Sequence, residues 1–175
     1  MQKMFWVDLE MTGLDIARDV ILEVAVVITD LKLQVLEQYE QVVYASPATL
    51  AAMDPWCIDT HGKSGLTAAC AKGKPHAQVE ADLVKLAKDH FPNEKILLCG
   101  NSVGTDRKFL EAGMPAFARH LHYRIIDVSS WKEIFSSVYG LSFQKRELHR
   151  AVDDILESIG ELAFYQSYIN APKII

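Results

Sequence analysis

Cysteine is scarce in this chain, and its pattern excludes the usual uses of cysteine. Cys57, Cys70 and Cys99 are odd in number and form no CxxC pair, so neither a disulfide framework nor a cysteine-held metal is expected. The expected state is three reduced thiols in a cytoplasmic protein. Long hydrophobic runs are lacking as well, because the apolar stretches have only strand length and none would span a membrane. The opening Met-Gln-Lys-Met-Phe-Trp leads directly into a strand that carries acids, unlike a secretory leader. Linker-like Pro/Gly/Ser stretches and internal repeats are missing. The 175 residues are therefore expected to form a single domain, 1–175, with a short C-terminal tail from about Ala171. An excess of positive charge is also absent. The formal net charge of −5 argues against a generic binder of long nucleic acids, which would present a broad basic surface. A short nucleic acid held by metal ions and a few side chains remains compatible with it.

What the chain does have is a dispersed set of acids ending in a histidine. Asp8 and Glu10 lie in Phe-Trp-Val-Asp-Leu-Glu-Met-Thr-Gly, Asp106 in Gly-Asn-Ser-Val-Gly-Thr-Asp, and His149 with Asp153 and Asp154 in His-Arg-Ala-Val-Asp-Asp. Asp8 and Glu10 are two apart on a strand and so share a face. Acids are disfavoured in strands, and two at the end of an apolar one need a reason. Four converging carboxylates would repel one another unless divalent cations neutralised them. An oxygen-only donor set suits Mg²⁺ or Mn²⁺, and a histidine adds a base that works near neutral pH. Together these parts point to two-metal phosphodiester hydrolysis.

Each residue also has an ordinary reading. Asp106 in a first helical turn complements the helix dipole anyway, and His149 beside Arg150 is unremarkable at a helix start. Helix geometry alone does not choose between Asp153 and Asp154. Leu14 and Trp56 fit core or loop packing as well as base stacking. Lys63, Arg124 and Lys145-Arg146 fit a solvated surface as well as a phosphate site. His120-Leu-His-Tyr-Arg124 has no cysteine partner that would make it a zinc site.

Patterning predicts strands over Met4–Asp8, Val20–Thr29 and Val35–Tyr44, the first three forming an antiparallel meander. The second is β-branched and nearly continuous, as a buried central strand should be. Ser46-Pro47 signals a short helix, while Trp56–Thr67 lacks periodicity and reads as a loop. Helical spacing runs from His76 to His90, followed by a short strand Ile96–Cys99 and a helix around Thr105–Ala112. A strand Arg124–Asp127 and a helix through Trp131–Val138 come next, and a long helix begins near His149. Three early strands followed by alternating helices and strands give an α/β fold with a mixed sheet.

Val-Asp-Leu-Glu-Met-Thr-Gly-Leu-Asp, Gly-Asn-Ser-Val-Gly-Thr-Asp, His-Tyr-Arg-Ile-Ile-Asp-Val-Ser and His-Arg-Ala-Val-Asp-Asp, in that order, resemble the oligoribonuclease family. That family is the histidine-bearing branch of the DEDD exonuclease superfamily. Trp56 and His61-Gly-Lys-Ser-Gly-Leu stand between the first two motifs, and the likeness runs from about Phe5 to Tyr168.

The resemblance implies a ribonuclease H-like fold, a homodimer and 3′→5′ hydrolysis of short RNA to 5′-mononucleotides. Expected substrates are two to about five nucleotides long, dinucleotides above all, in keeping with an acidic surface that offers little to a long backbone. Carried over by motif, Asp8, Glu10, Asp106 and Asp154 hold two divalent ions, Mg²⁺ or Mn²⁺, and His149 is the general base. The family spacing selects Asp154 over Asp153. Leu14 and Trp56 match base-sandwiching positions, and His61 is carried over as a substrate contact. Ser102, Arg124 and Ser129 match a pocket around the terminal phosphate, and Tyr123 matches a tyrosine supplied by the second subunit. The stretch from Asp127 to His149 is shorter than usual, and Ser130 replaces a threonine. The rival readings are a DNA-directed exonuclease of the same superfamily and a non-catalytic nucleic-acid-binding protein on this fold.

Overall fold

Residues 3–144 and 151–170 are described in a computed structural model. Five strands form one mixed sheet in the order β3-β2-β1-β4-β5. The first three are β1 (Lys3–Met11), β2 (Ile21–Asp30) and β3 (Val35–Val42), paired antiparallel. β4 (Ile96–Gly100) and β5 (Leu121–Asp127) continue the sheet in parallel from β1. The expected α/β architecture with a mixed sheet is the observed one.

Alternation along the central strands divides the core in two. Phe5, Val7 and Leu9 pack with Val24, Val26 and Ile28 on one face. Helices α4 (His76–His90), α5 (Gly104–Gly113) and α6 (Pro115–Ala118) contribute Val79, Leu83, Phe109 and Phe117 to that cluster. Met4 and Trp6 pack with Ala25 and Val27 on the other face, where α7 (Val128–Tyr139) and α8 (Ala151–Ser167) add Phe135, Ile155 and Tyr165. Burial on both faces explains why β2 is apolar nearly throughout. The same alternation sets Asp8 and Glu10 on the face of Met4 and Trp6, at the end of β1 beside α8.

The segment expected as a loop, Trp56–Thr67, is helical. α1 (Pro47–Ala51) starts at the anticipated Ser46-Pro47 signal, and α2 (Pro55–Ser64) starts at an equivalent one. Asp54 caps α2 by accepting from the Trp56 N–H at 2.9 Å, and Pro55 occupies its first turn. Gly65, at φ 82°, ends it and opens α3 (Leu66–Cys70). Periodicity missed α2 because it buries only Cys57 and His61, leaving Trp56 and Ile58 exposed. The end signals were therefore better evidence than the faces.

Two strands run longer than expected. β1 carries both acids within its length, and β5 begins at Leu121. β5 pairs Leu121 with Ile96 and Ile125 with Leu98, so His122, Tyr123 and Arg124 bulge from this edge strand.

Candidate active site

Ligand-bearing oxygens of Asp8, Glu10 and Asp154 all lie within 4.8 Å of one another. β1 supplies the first two from one face, and the first turns of α8 supply the third. Asp106 stands outside this trio, buried in the first turn of α5. Its Oδ1 accepts from the Leu9 N–H at 3.1 Å, which pins it beside β1 between the two strand acids in sequence. Asp153 is not among the converging acids. His149 lies outside the described residues, as do Lys145, Arg146 and the expected tail from Ala171.

Crowding is visible in the acid–base balance. Burial, then the charges of Glu23, Asp154 and Asp106, push the Glu10 carboxyl up to about 7. Burial likewise pushes Asp106 up to about 6, against the hydrogen bonds that favour its ionised form. Glu23 faces Glu10 across the β1/β2 pair and is buried. Sequence reasoning passed over it, although an acid inside an otherwise apolar strand was a legible signal.

A cleft of about 470 Å³ opens beside Glu10, lined by Leu9, Met11, Leu14, Trp56, Cys57 and His61 among others. Leu14 is 76% exposed and Trp56 65% exposed, so neither belongs to the core. The turn carrying Leu14 is fixed by Asp19, which accepts from the Thr12 hydroxyl and the Asp15 N–H, each at 2.9 Å. A Cβ on Gly13 would stand 2.4 Å from Asp19 Oδ2, so a side chain there would push the Asp19 carboxylate off its hydrogen bonds. The Thr12 carbonyl accepts from the Asp54 N–H at 2.9 Å, which ties this turn to the start of α2 and fixes the gap between Leu14 and Trp56. His61 is buried at the back of the cleft. Its Nε2 must donate to the Met11 carbonyl at 2.9 Å, leaving Nδ1 at 3.8 Å from Glu10 Oε2.

Ser102 and Ser129 meet, with their Oγ atoms 3.2 Å apart. Ser102 takes a left-handed backbone (φ 49°), and its N–H reaches both Asp127 Oδ1 and Ser129 Oγ at 3.0 Å. Asp127 also caps α7 by accepting from the Ser129 N–H at 3.0 Å. On the β5 bulge, Tyr123 is 72% exposed. The His122 ring stacks on it at 4.5 Å, and the Arg124 guanidinium lies 5.2 Å from its ring centre.

A family model described as Exonuclease matches residues 5–162. The chain is 45% identical over 179 residues to human mitochondrial oligoribonuclease, an alignment covering 99% of this chain and 76% of the human protein. It is 43% identical over 171 residues to the oligoribonuclease of Ectopseudomonas mendocina, covering 94% of each.

The chain belongs to the oligoribonuclease family.

Among solved structures, it resembles Escherichia coli exonuclease I in complex with a dA16 oligonucleotide, with a TM-score of 0.75 and 13% identity. It resembles exonuclease I of Methylocaldum szegediense with the same score and identity. The chain spans 41% of the length of each, while they cover 95% and 96% of it. At that identity the likeness is one of fold, and it identifies the architecture as ribonuclease H-like.

Divalent-metal dependence belongs to such an exonuclease fold, and the donor set fits it. Three carboxylates crowd together, with a fourth alongside and the acidity of two suppressed. A hard cation would both accept these oxygens and relieve their repulsion.

Proposed function

We propose that this protein is a 3′→5′ exoribonuclease that degrades RNA of two to about five nucleotides to 5′-mononucleotides, the short range matching its acidic surface. The observation that carries the reading is the convergence of Asp8, Glu10 and Asp154 within 4.8 Å beside the cleft walled by Leu14 and Trp56. Asp8, Glu10, Asp106 and Asp154 would hold two Mg²⁺ or Mn²⁺ ions. The chemistry that the ions would supply there is Lewis acidity, which would ease deprotonation of the attacking water and offset charge on the departing oxygen.

The chain's own residues supply the rest. Leu14 and Trp56 grip the bases by apolar contact and stacking, which any base can satisfy. His61 ties α2 to the end of β1 through the Met11 carbonyl and contacts substrate at the back of the cleft. Ser102, Ser129 and Arg124 receive the terminal phosphate. His149, assigned from its spacing to Asp154, takes the proton of the attacking water. Tyr123, projecting from an edge strand, reaches the active site of a second copy in a homodimer. Three unpaired thiols support a cytoplasmic setting. Among the described residues, no helix is long and apolar enough to cross a membrane.

Cleavage rates on ladders of RNA and single-stranded DNA, from dimers upward, test this reading. Rates should be highest on RNA dimers and fall steeply with length. Equal or faster cleavage of long RNA would sink the short-substrate reading, and a preference for DNA would favour a DNA-directed enzyme.

A further inference from the structure

The two serines are held from behind by a chain of hydrogen bonds that runs from the surface into the core. Ser129 Oγ donates to Asn101 Oδ1 at 3.1 Å. The Asn101 amide nitrogen donates to Ser158 Oγ at 2.7 Å and to Glu161 Oε2 at 3.1 Å. Ser158 in turn donates to the Asp154 carbonyl at 2.8 Å. Glu161 is 1% exposed, and its Oε1 accepts from the Tyr165 hydroxyl at 3.0 Å. Both donors of the Asn101 amide and its oxygen are thus engaged, which fixes its orientation. A buried carboxyl on an apolar face of α8 is costly unless its hydrogen bonds serve it, as these do.

The chain reaches from the end of β4 to the start of α7 and back to the helix that carries Asp154. We propose that Asn101 and Glu161 are positioning residues that preset the Ser102–Ser129 pocket at a fixed distance from Asp154, and so enforce the preference for a dinucleotide's terminal phosphate. This rests on the reading of the two serines as the phosphate pocket. Because the Ser129 proton goes to Asn101, the Ser102 hydroxyl is the donor between the two serines. Binding a phosphate requires only that this Ser102 proton turn to it while the heavy atoms stay in place, which is preorganisation. A longer strand would have to displace a pocket that its own backbone does not fill.

Asn101→Asp tests the link, because it keeps the acceptor for Ser129 but sets an oxygen against Glu161 Oε2. For a 5′-phosphorylated dinucleotide, KM should rise about tenfold, the size of one well-placed hydrogen bond, with kcat little changed. The same dinucleotide with a 5′-hydroxyl should show no such rise. Adding Glu161→Gln reinstates a donor opposite Asp at position 101 and should restore KM. Ser129→Ala should show the same substrate profile, and Asn101→Asp should add little to it. Tyr165→Phe, which keeps the ring, should shift the same KM in the same direction by a smaller factor if Asn101→Asp fails to fold. An unchanged KM in a folded variant, an equal loss on both dinucleotides, or no recovery in the double variant would overturn the proposal. A wild-type protein indifferent to the 5′-phosphate would instead remove the pocket reading itself.

Discussion

Asp153 and Asp154 are adjacent acids in the first turn of α8, and only one of them joins Asp8 and Glu10. Substituting them separately divides their roles by direction on the helix. Asp154→Asn should lower turnover by more than the roughly 10- to 100-fold lost when an outer partner of a metal site is removed, whereas Asp153→Asn should stay near wild type. Steady-state rates at saturating Mg²⁺ check this, and equal effects would return the ambiguity that helix geometry left open. Loss of the His149 imidazole in His149→Ala should slow hydrolysis about a hundredfold or more, as expected when a positioned base is removed. Metal binding, followed by calorimetry, should persist in that variant because the carboxylates remain.

At the scale of elements, α2 and the turn before β2 form the two walls of the cleft. Trp56→Ala should raise KM for dinucleotides about tenfold, within the roughly 1–3 kcal/mol per base that stacking contributes. Its effect on thermal stability should be small, since the ring is exposed. Asp54→Ala should do the converse, removing a cap worth about 1 kcal/mol and lowering the melting temperature more than it alters kcat. Matching losses from both substitutions would mean that Trp56 acts by holding α2 rather than by touching substrate. Much of this layer was readable from end signals such as Asp54-Pro55 and Gly65. The face pattern of α2 was misleading because a helix that leaves Trp56 and Ile58 exposed lacks the clean apolar stripe of a packed one.

For the whole molecule, the crowded acids couple stability to pH. Glu10 is pushed from the usual 4.5 up to about 7, and Asp106 from 3.8 up to about 6. The folded state therefore binds more protons than the unfolded chain between those limits. Without metal, stability should be greatest at the acidic end of this window and decline as pH rises through it. Glu10→Gln should flatten part of that decline, and the stabilisation by added Mg²⁺ should grow across the same window as the carboxyls ionise. Melting curves at a series of pH values, with Mg²⁺ and with chelator, check both slopes. A metal-free stability that rises from pH 5 to 7 in the wild type and in Glu10→Gln alike would contradict this account. Assembly is tested by mixing two inactive parents, Asp8→Ala and Tyr123→Ala. Exchange of subunits should regenerate one site with intact acids and a tyrosine from the other copy. No recovery after demonstrated exchange would assign Tyr123 to its own chain's site.

The residues themselves determined the alternation of β1 and β2, and with it the shared face of Asp8 and Glu10, because side-chain direction in a strand is a local property. They determined the motif order that marks the family and the caps that start α1 and α2. Convergence of Asp154 with the strand acids was decided only by the packing of α8 across the sheet, since nothing local measures a distance across some 140 residues. The burial of Asp106 against the Leu9 amide and the Asn101–Glu161 chain were decided in the same way. Each joins groups whose partners are remote in sequence, and hydrogen-bond satisfaction in a closed core, rather than any pattern along the chain, selects those partners.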